Sequence, residues 1–212
     1  MNIKYYKKIG FDLDGTLINS LDGIYSSYKF SAKNLNLEIF SKDLIKREIG
    51  PPIEIFFEKL YPAHHILNEQ YSILFRKHYL NKGYKQTKLK KDAYALLNLL
   101  DKNSHEIFIL TNKSSQASSL ILKFLKIESY FQQVYSVNSA NKNLYNKSLY
   151  LKKLFKNESR GLYVGDTMED FNASKDAKVK FIGLADGFGD FSNEAMEIGN
   201  IFNSIQQVIK NY

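Results

Sequence analysis

Lys8-Ile9-Gly10-Phe11-Asp12-Leu13-Asp14-Gly15-Thr16-Leu17 is the stretch that decides the fold. Ile9, Phe11 and Leu13 give residues 8–13 the character of a buried strand, and Asp14-Gly15 ends it abruptly. Beyond residue 90, short apolar runs at 107–110, 134–137, 162–164 and 181–184 alternate with segments of helical period around 93–100, 117–125, 148–155, 173–177 and 205–209. Strands alternating with helices predict a parallel sheet covered on both faces. The intervening segment reads differently. Leu21, Ile24, Tyr25, Tyr28, Ala32 and Leu35 recur at helix spacing, and Ser41 suits the N-cap of a short helix. Gly50-Pro51-Pro52 breaks the chain ahead of a helix bearing Ile53, Phe56, Phe57 and Leu60. Tyr71, Leu74, Phe75, His78 and Tyr79 mark another helix, closed near Gly83. The expected architecture is an α/β, doubly wound, Rossmann-like core built from residues 1–17 and 86–212, with an all-helical insert at 18–85.

Composition narrows the class. The 212 residues are 44% hydrophobic, enough for a sizeable core, and no apolar run approaches the ~20 residues a membrane helix needs. The basic N-terminus lacks a long apolar stretch and a small-residue cleavage site, so a cytoplasmic protein with no membrane association is expected. Without cysteine there are no disulfides, thiolate metal sites or cysteine nucleophiles. The net charge of +8 invites a nucleic-acid reading, but the lysines are scattered and arginine is scarce (Arg47, Arg76, Arg160). A basic surface equally attracts anionic phosphate compounds, and no nucleic-acid partner is expected.

Open parallel sheets bind ligands at the carboxyl ends of their strands. Polar residues stand there in a telling order: Asp12 and Asp14 with Gly15 and Thr16, then Thr111-Asn112, then Lys147 before a helix, then Gly165-Asp166 with Asp170 four residues on. Asp12 and Asp14 alternate on a strand, so their side chains point the same way while it stays extended, and a turn beginning at Gly15 could bring both close to Asp166. Such a cluster needs a cation or protonation, and Mg2+ suits an all-oxygen site that keeps positions open for phosphate. One carboxylate can then attack phosphorus to form an acyl phosphate. Thr111 and Lys147 suit the phosphoryl oxygens, and Asp14 suits proton transfer to the leaving oxygen and from water.

These residues also resemble a known family. Phe11-Asp12-Leu13-Asp14-Gly15-Thr16-Leu17 is similar to the first motif of the haloacid dehalogenase-like hydrolase superfamily, residues 107–112 to the second, Lys147 to the third, and Tyr163-Val164-Gly165-Asp166-Thr167-Met168-Glu169-Asp170 to the fourth. The resemblance implies a sheet of order 5-4-1-2-3 and a helical cap formed by the insert. It implies Asp12 as nucleophile, Asp14 as general acid/base, and Mg2+ held by Asp12, the Asp14 carbonyl and Asp166 with Asp170 in support. Gly15, Thr16, Thr111, Asn112 and Lys147 form the expected phosphate-binding set, and Arg47 on the insert is the first candidate for reading the substrate. Gly50-Pro51-Pro52 and Ala185-Asp186-Gly187-Phe188-Gly189 are similar to the phosphoglycolate phosphatase-like branch. Two features depart from the pattern. Gly10 replaces an apolar strand residue, and no proline follows Lys147, so Lys142 competes for the lysine role.

The expected activity is a Mg2+-dependent phosphatase hydrolysing a small phosphorylated metabolite through a phosphoryl-aspartate, as a monomer or dimer. A hexose-phosphate mutase of the same superfamily and a phosphorylation-switched signalling module are the alternatives. Thr16 favours the phosphatase, where mutase relatives more often carry valine. The helical insert and the early position of Asp12 weigh against the signalling module. His64-His65 read as surface residues, His78 as a satisfied residue on an apolar face, and the tyrosines as packing.

Overall fold

The computed structural model describes residues 2–137, 146–192 and 199–212. Its main sheet contains β1 (Lys8–Phe11), β4 (Glu106–Thr111), β5 (Gln133–Ser136), β6 (Gly161–Gly165), β7 (Lys180–Leu184) and β8 (Ile201–Phe202). They lie in the order β5-β4-β1-β6-β7-β8, every pair parallel. The five anticipated strands keep the expected 5-4-1-2-3 order. The sixth, β8, is an addition at the edge of β7, and its two residues are too few to show a period. The first strand is shorter than its apolar pattern predicts. Pairing ends at Phe11, although the Asp12 N–H still donates to Val164 O at 2.9 Å.

Alternation along the strands sorts the side chains into two layers. Ile9, Phe11, Ile107, Ile109, Leu162, Val164 and Ile182 join the core that includes α5 (Ala93–Lys102), α6 (Ser115–Phe124) and α9 (Ile205–Lys210). Phe108, Leu110, Tyr163 and Phe181 face the other way, onto α7 (Lys147–Leu154) and α8 (Met168–Ala177). Gly10 belongs to this second face. It is in register with Phe108 on β4 and Tyr163 on β6, and a Cβ there would lie 2.5 Å from the Phe108 ring. The missing side chain at Gly10 makes room for two aromatic rings.

The segment between β1 and β4 is helical, as its pattern predicts: α1 (Leu21–Asn34), α2 (Lys42–Glu48), α3 (Ile53–Leu60) and α4 (Asn68–Asn81). Ser41 caps α2, accepting from the Leu44 N–H at 3.3 Å. Tyr28, Phe57, Tyr61 and Tyr71 are buried together; the Phe57 and Tyr71 rings are 4.7 Å apart and the Tyr28 and Tyr61 hydroxyls 3.0 Å. Aromatic packing thus gives this small unit its core. The chain enters and leaves it through one antiparallel ribbon, β2 (Ile18–Asn19) with β3 (Lys88–Leu89). No helix among the described residues is long and apolar enough to cross a membrane.

Candidate active site

Parallel strands bring the ends of β1, β4 and β6 to one edge of the sheet, and the polar residues following them meet there. Asp12, Asp166 and Asp170 are buried, each offering a carboxylate oxygen within 4.8 Å of the others. Asp170 is placed by a capping box at the start of α8. Thr167 Oγ1 donates to Asp170 Oδ2 at 2.7 Å, while the Asp170 N–H donates to Thr167 Oγ1 at 3.3 Å. Asp166 accepts from Thr16 Oγ1 at 2.8 Å and from the Phe188 N–H at 2.7 Å. Gly15, at φ 82°, turns the backbone so closely past Asp166 that a Cβ would come within 2.1 Å of its Oδ2.

Lys147 opens α7, capped by Asn146, and its buried ammonium lies 3.0 Å from Asp12 Oδ1 and 2.6 Å from Asp170 Oδ1. Burial opposes its charge, but Asp12 and Asp170 outweigh that and hold its pKa well above the ordinary lysine value. Burial lifts Asp12 well above the usual carboxylate range, against the pull of Lys147 and with added repulsion from Asp170, Asp166 and Asp14. Burial and Asp170 push Asp166 up to about 7, although the Phe188 N–H and the Thr16 hydroxyl favour its anion.

Asp14 stands apart from this cluster. Its carboxylate accepts from Ser20 Oγ and pairs with Lys113 Nζ at 3.1 Å. Among the described residues Asp170 joins Asp12 and Asp166 as the third clustered carboxylate, while the carboxylate of Asp14, expected to converge with them, is taken up by Ser20 and Lys113. Thr111, buried, accepts from the Lys113 N–H at 3.2 Å, and Asn112 reaches the helical segment, donating to Gly50 O at 2.9 Å and to Glu169 Oε1 at 3.0 Å.

A cleft lies between this edge and the helices, lined below by Asp12, Asp14, Thr111 and Lys147 and above by Ile53, Phe56 and Phe75 among others. Arg47 is exposed on α2 and is not among the lining residues, whereas Arg76 of α4 is. Lys142, the rival of Lys147, lies outside the described residues. His64 and His65 are exposed, as expected.

Three contributors escaped the sequence reading. Lys113 touches Asp14 and, at 3.2 Å, the Tyr79 hydroxyl. Lys90 donates to Gly15 O at 2.8 Å and pairs with Asp186 at 2.5 Å. The Phe188 N–H holds Asp166. Single lysines in a lysine-rich chain carry no pattern, and a backbone donor leaves none. Only the position of Lys113, directly after Thr111-Asn112 at a strand end, marked it.

A family model described as haloacid dehalogenase-like hydrolase matches residues 9–184. The chain is 30% identical over 173 residues to the phosphoglycolate phosphatase of Aquifex aeolicus, with 80% of each chain covered. It is 28% identical over 181 residues to a pyrophosphatase of Anoxybacillus flavithermus, covering 82% of this chain and 81% of that one. The crystal structure of a predicted phosphatase from Clostridium acetobutylicum matches it with a TM-score of 0.86 at 25% identity, covering 97% of both chains.

Proposed function

This chain belongs to the haloacid dehalogenase-like hydrolases, and we propose that it is a Mg2+-dependent phosphatase for a small phosphorylated metabolite, working through a phosphoryl-aspartate on Asp12. The observation carrying this reading is the packing of Asp12, Asp166 and Asp170 oxygens within 4.8 Å of one another, with Lys147 against Asp12.

The residues fit a hard divalent cation. The donors are all oxygen, they are buried, and Asp166 is pushed up to about 7 by burial and by Asp170, so its anion lacks sufficient compensation from the protein alone. Asp12, Asp166 and the Asp14 carbonyl would hold Mg2+, with Asp170 in support. When bound, the ion supplies positive charge for the phosphoryl oxygens.

The chain's own groups account for the remainder. Lys147, spanning Asp12 and Asp170, fixes the rotamer of Asp12. An Asp12 oxygen attacks phosphorus as the bond to the leaving oxygen breaks, and Asp14 delivers the proton that oxygen needs. Asp14 then takes a proton from water, whose oxygen attacks phosphorus and frees Asp12 with release of phosphate. Thr111, Asn112, Gly15 and Thr16 border the phosphoryl position at the strand ends. Ser20 and Lys113 hold the Asp14 carboxylate apart from the cluster, which suits a proton carrier rather than a ligand.

Residues 18–85 act as a cap over a core of 1–17 and 86–212. The β2–β3 ribbon through which the chain enters and leaves supports that division, and the apolar helical side of the cleft would exclude water during transfer. The test is phosphate release from acetyl phosphate and a metabolite panel with Mg2+. Asp12→Asn is expected to reduce turnover on the order of a thousandfold or more. Turnover unaffected by that substitution would remove Asp12 as nucleophile.

A further inference from the structure

The charges lining the cleft are already matched. On the sheet side, Lys147 faces Asp12 and Asp170. Also on the sheet side, the Lys113 ammonium sits 3.1 Å from an Asp14 oxygen, while on the cap side Arg76 is ion-paired with Glu54 on α3. These are the cationic side chains among the described residues that line the cleft. A further carboxylate, Glu169, lines the same space and accepts from Asn112. Apart from Tyr79, whose hydroxyl meets Lys113 at 3.2 Å, the rest of the cap wall is apolar: Ile24 from α1, Ile49 and Ile53 flanking the Gly50-Pro51-Pro52 break, Phe56 from α3, and Phe75 and Leu80 from α4.

We infer that the group leaving phosphorus is uncharged and largely apolar, the alcohol of a short aliphatic or single-ring phosphate monoester. The inference rests on the phosphatase reading above and gives it a substrate class. An anionic leaving group would lose water on entering the cleft and find each cation held by a carboxylate. An alkyl or aryl group meets a wall of matching polarity, each buried methylene being worth about fourfold in affinity. The open cleft measures about 130 Å3 with its phosphoryl end included, against the roughly 150 Å3 of an apolar cavity that holds one benzene ring. Size therefore favours a single ring or a chain of a few carbons over a nucleoside or a bulky glycoside.

The experiment compares kcat/KM, with Mg2+, for ethyl, butyl and benzyl phosphate against 2-phosphoglycolate and inorganic pyrophosphate, with acetyl phosphate as a small common control. From ethyl to butyl phosphate, kcat/KM is expected to rise roughly fifteenfold, from two buried methylenes. Butyl and benzyl phosphate should exceed both anionic substrates by at least about tenfold. Glu54→Gln, which releases Arg76, should narrow that margin by about tenfold while thermal melting confirms folding. Turnover of acetyl phosphate with a flat alkyl series, with 2-phosphoglycolate or pyrophosphate ahead of butyl phosphate, or with a margin indifferent to Glu54→Gln would overturn the inference and leave the phosphatase reading standing. Absence of phosphate release from all substrates, acetyl phosphate included, would overturn both.

Discussion

Gly10 and Phe108 are register partners on adjacent strands, and the Phe108 ring fills the space a side chain on Gly10 would need. A Cβ would lie 2.5 Å from that ring and 2.9 Å from Tyr163, neither of which can retreat through the packed face they share. Gly10→Ala should therefore cost about 1–3 kcal/mol through overpacking, read as a lower urea midpoint at unchanged slope. Phe108→Leu should recover part of it. An alanine at least as stable as glycine would show that the sheet yields more easily than its register implies.

Lys147 is the buried cation facing both Asp12 and Asp170. Replacing it with Met removes the charge while keeping most of the volume, and leaves two buried carboxylates that must protonate or repel. The expected loss in EDTA is about 3 kcal/mol or more, with phosphate release abolished. Lys147→Arg, whose planar head does not reproduce a point charge between two carboxylates, should not restore turnover. Chemical denaturation and a phosphate assay decide both points.

Metal addition should be visible without turnover. A cation that binds the folded carboxylates and not the unfolded chain stabilises by about 2.7 kcal/mol at a hundredfold excess over Kd. For a chain of this size that corresponds to a melting rise of roughly 5–10 °C. Asp166→Asn should remove most of the shift. An equal shift in that variant would locate the ion elsewhere.

The Asn112 amide joins the sheet side of the cleft to the helical side through Gly50 O, at 2.9 Å. Asn112→Ala should loosen residues 50–52, seen as faster amide exchange there. It should raise KM by a few-fold while changing kcat less, because the bond closes the cleft and lies apart from the clustered carboxylates.

Legibility followed the range over which each signal is written. The β1 string and the strand–helix alternation are local, periodic and specific, so the sheet, its order, and the placement of Asp12, Asp166, Asp170 and Lys147 on one edge could be read in advance. Gly10 could be noticed but not explained, since its reason lies on Phe108 and Tyr163, separated from it by about a hundred residues or more. Arg47 stands close to a chain break, yet it is exposed on α2. Arg76, on α4, reaches the cleft because of how the helices pack, which no spacing in the sequence encodes. The partner of the Asp14 carboxylate, Lys113, lies about a hundred residues away and is brought to it only by the fold, so no local spacing announces it.

His78 gives the helical segment a dependence on pH. Its ring stacks on Phe30 with centroids 4.6 Å apart, and Nδ1 lies 3.0 Å from Ser27 Oγ, whose own proton is engaged on Gly23 O. Burial, then the nearby Lys82, lowers its pKa below the ordinary 6.5. The folded protein thus resists a proton that the unfolded chain accepts, so on acidification below about 6.5 the unfolded state gains protons first and stability falls. Above that range both states are neutral at this position and its contribution is constant. His78→Gln lacks the titration. Its stability deficit relative to the parent, measured by urea denaturation, should be larger at pH 7.5 than at pH 5.5, and differencing the two proteins cancels the carboxylates they share. A deficit that grows on acidification would mean the folded state welcomes the imidazolium, opposite to what its burial beside Lys82 dictates.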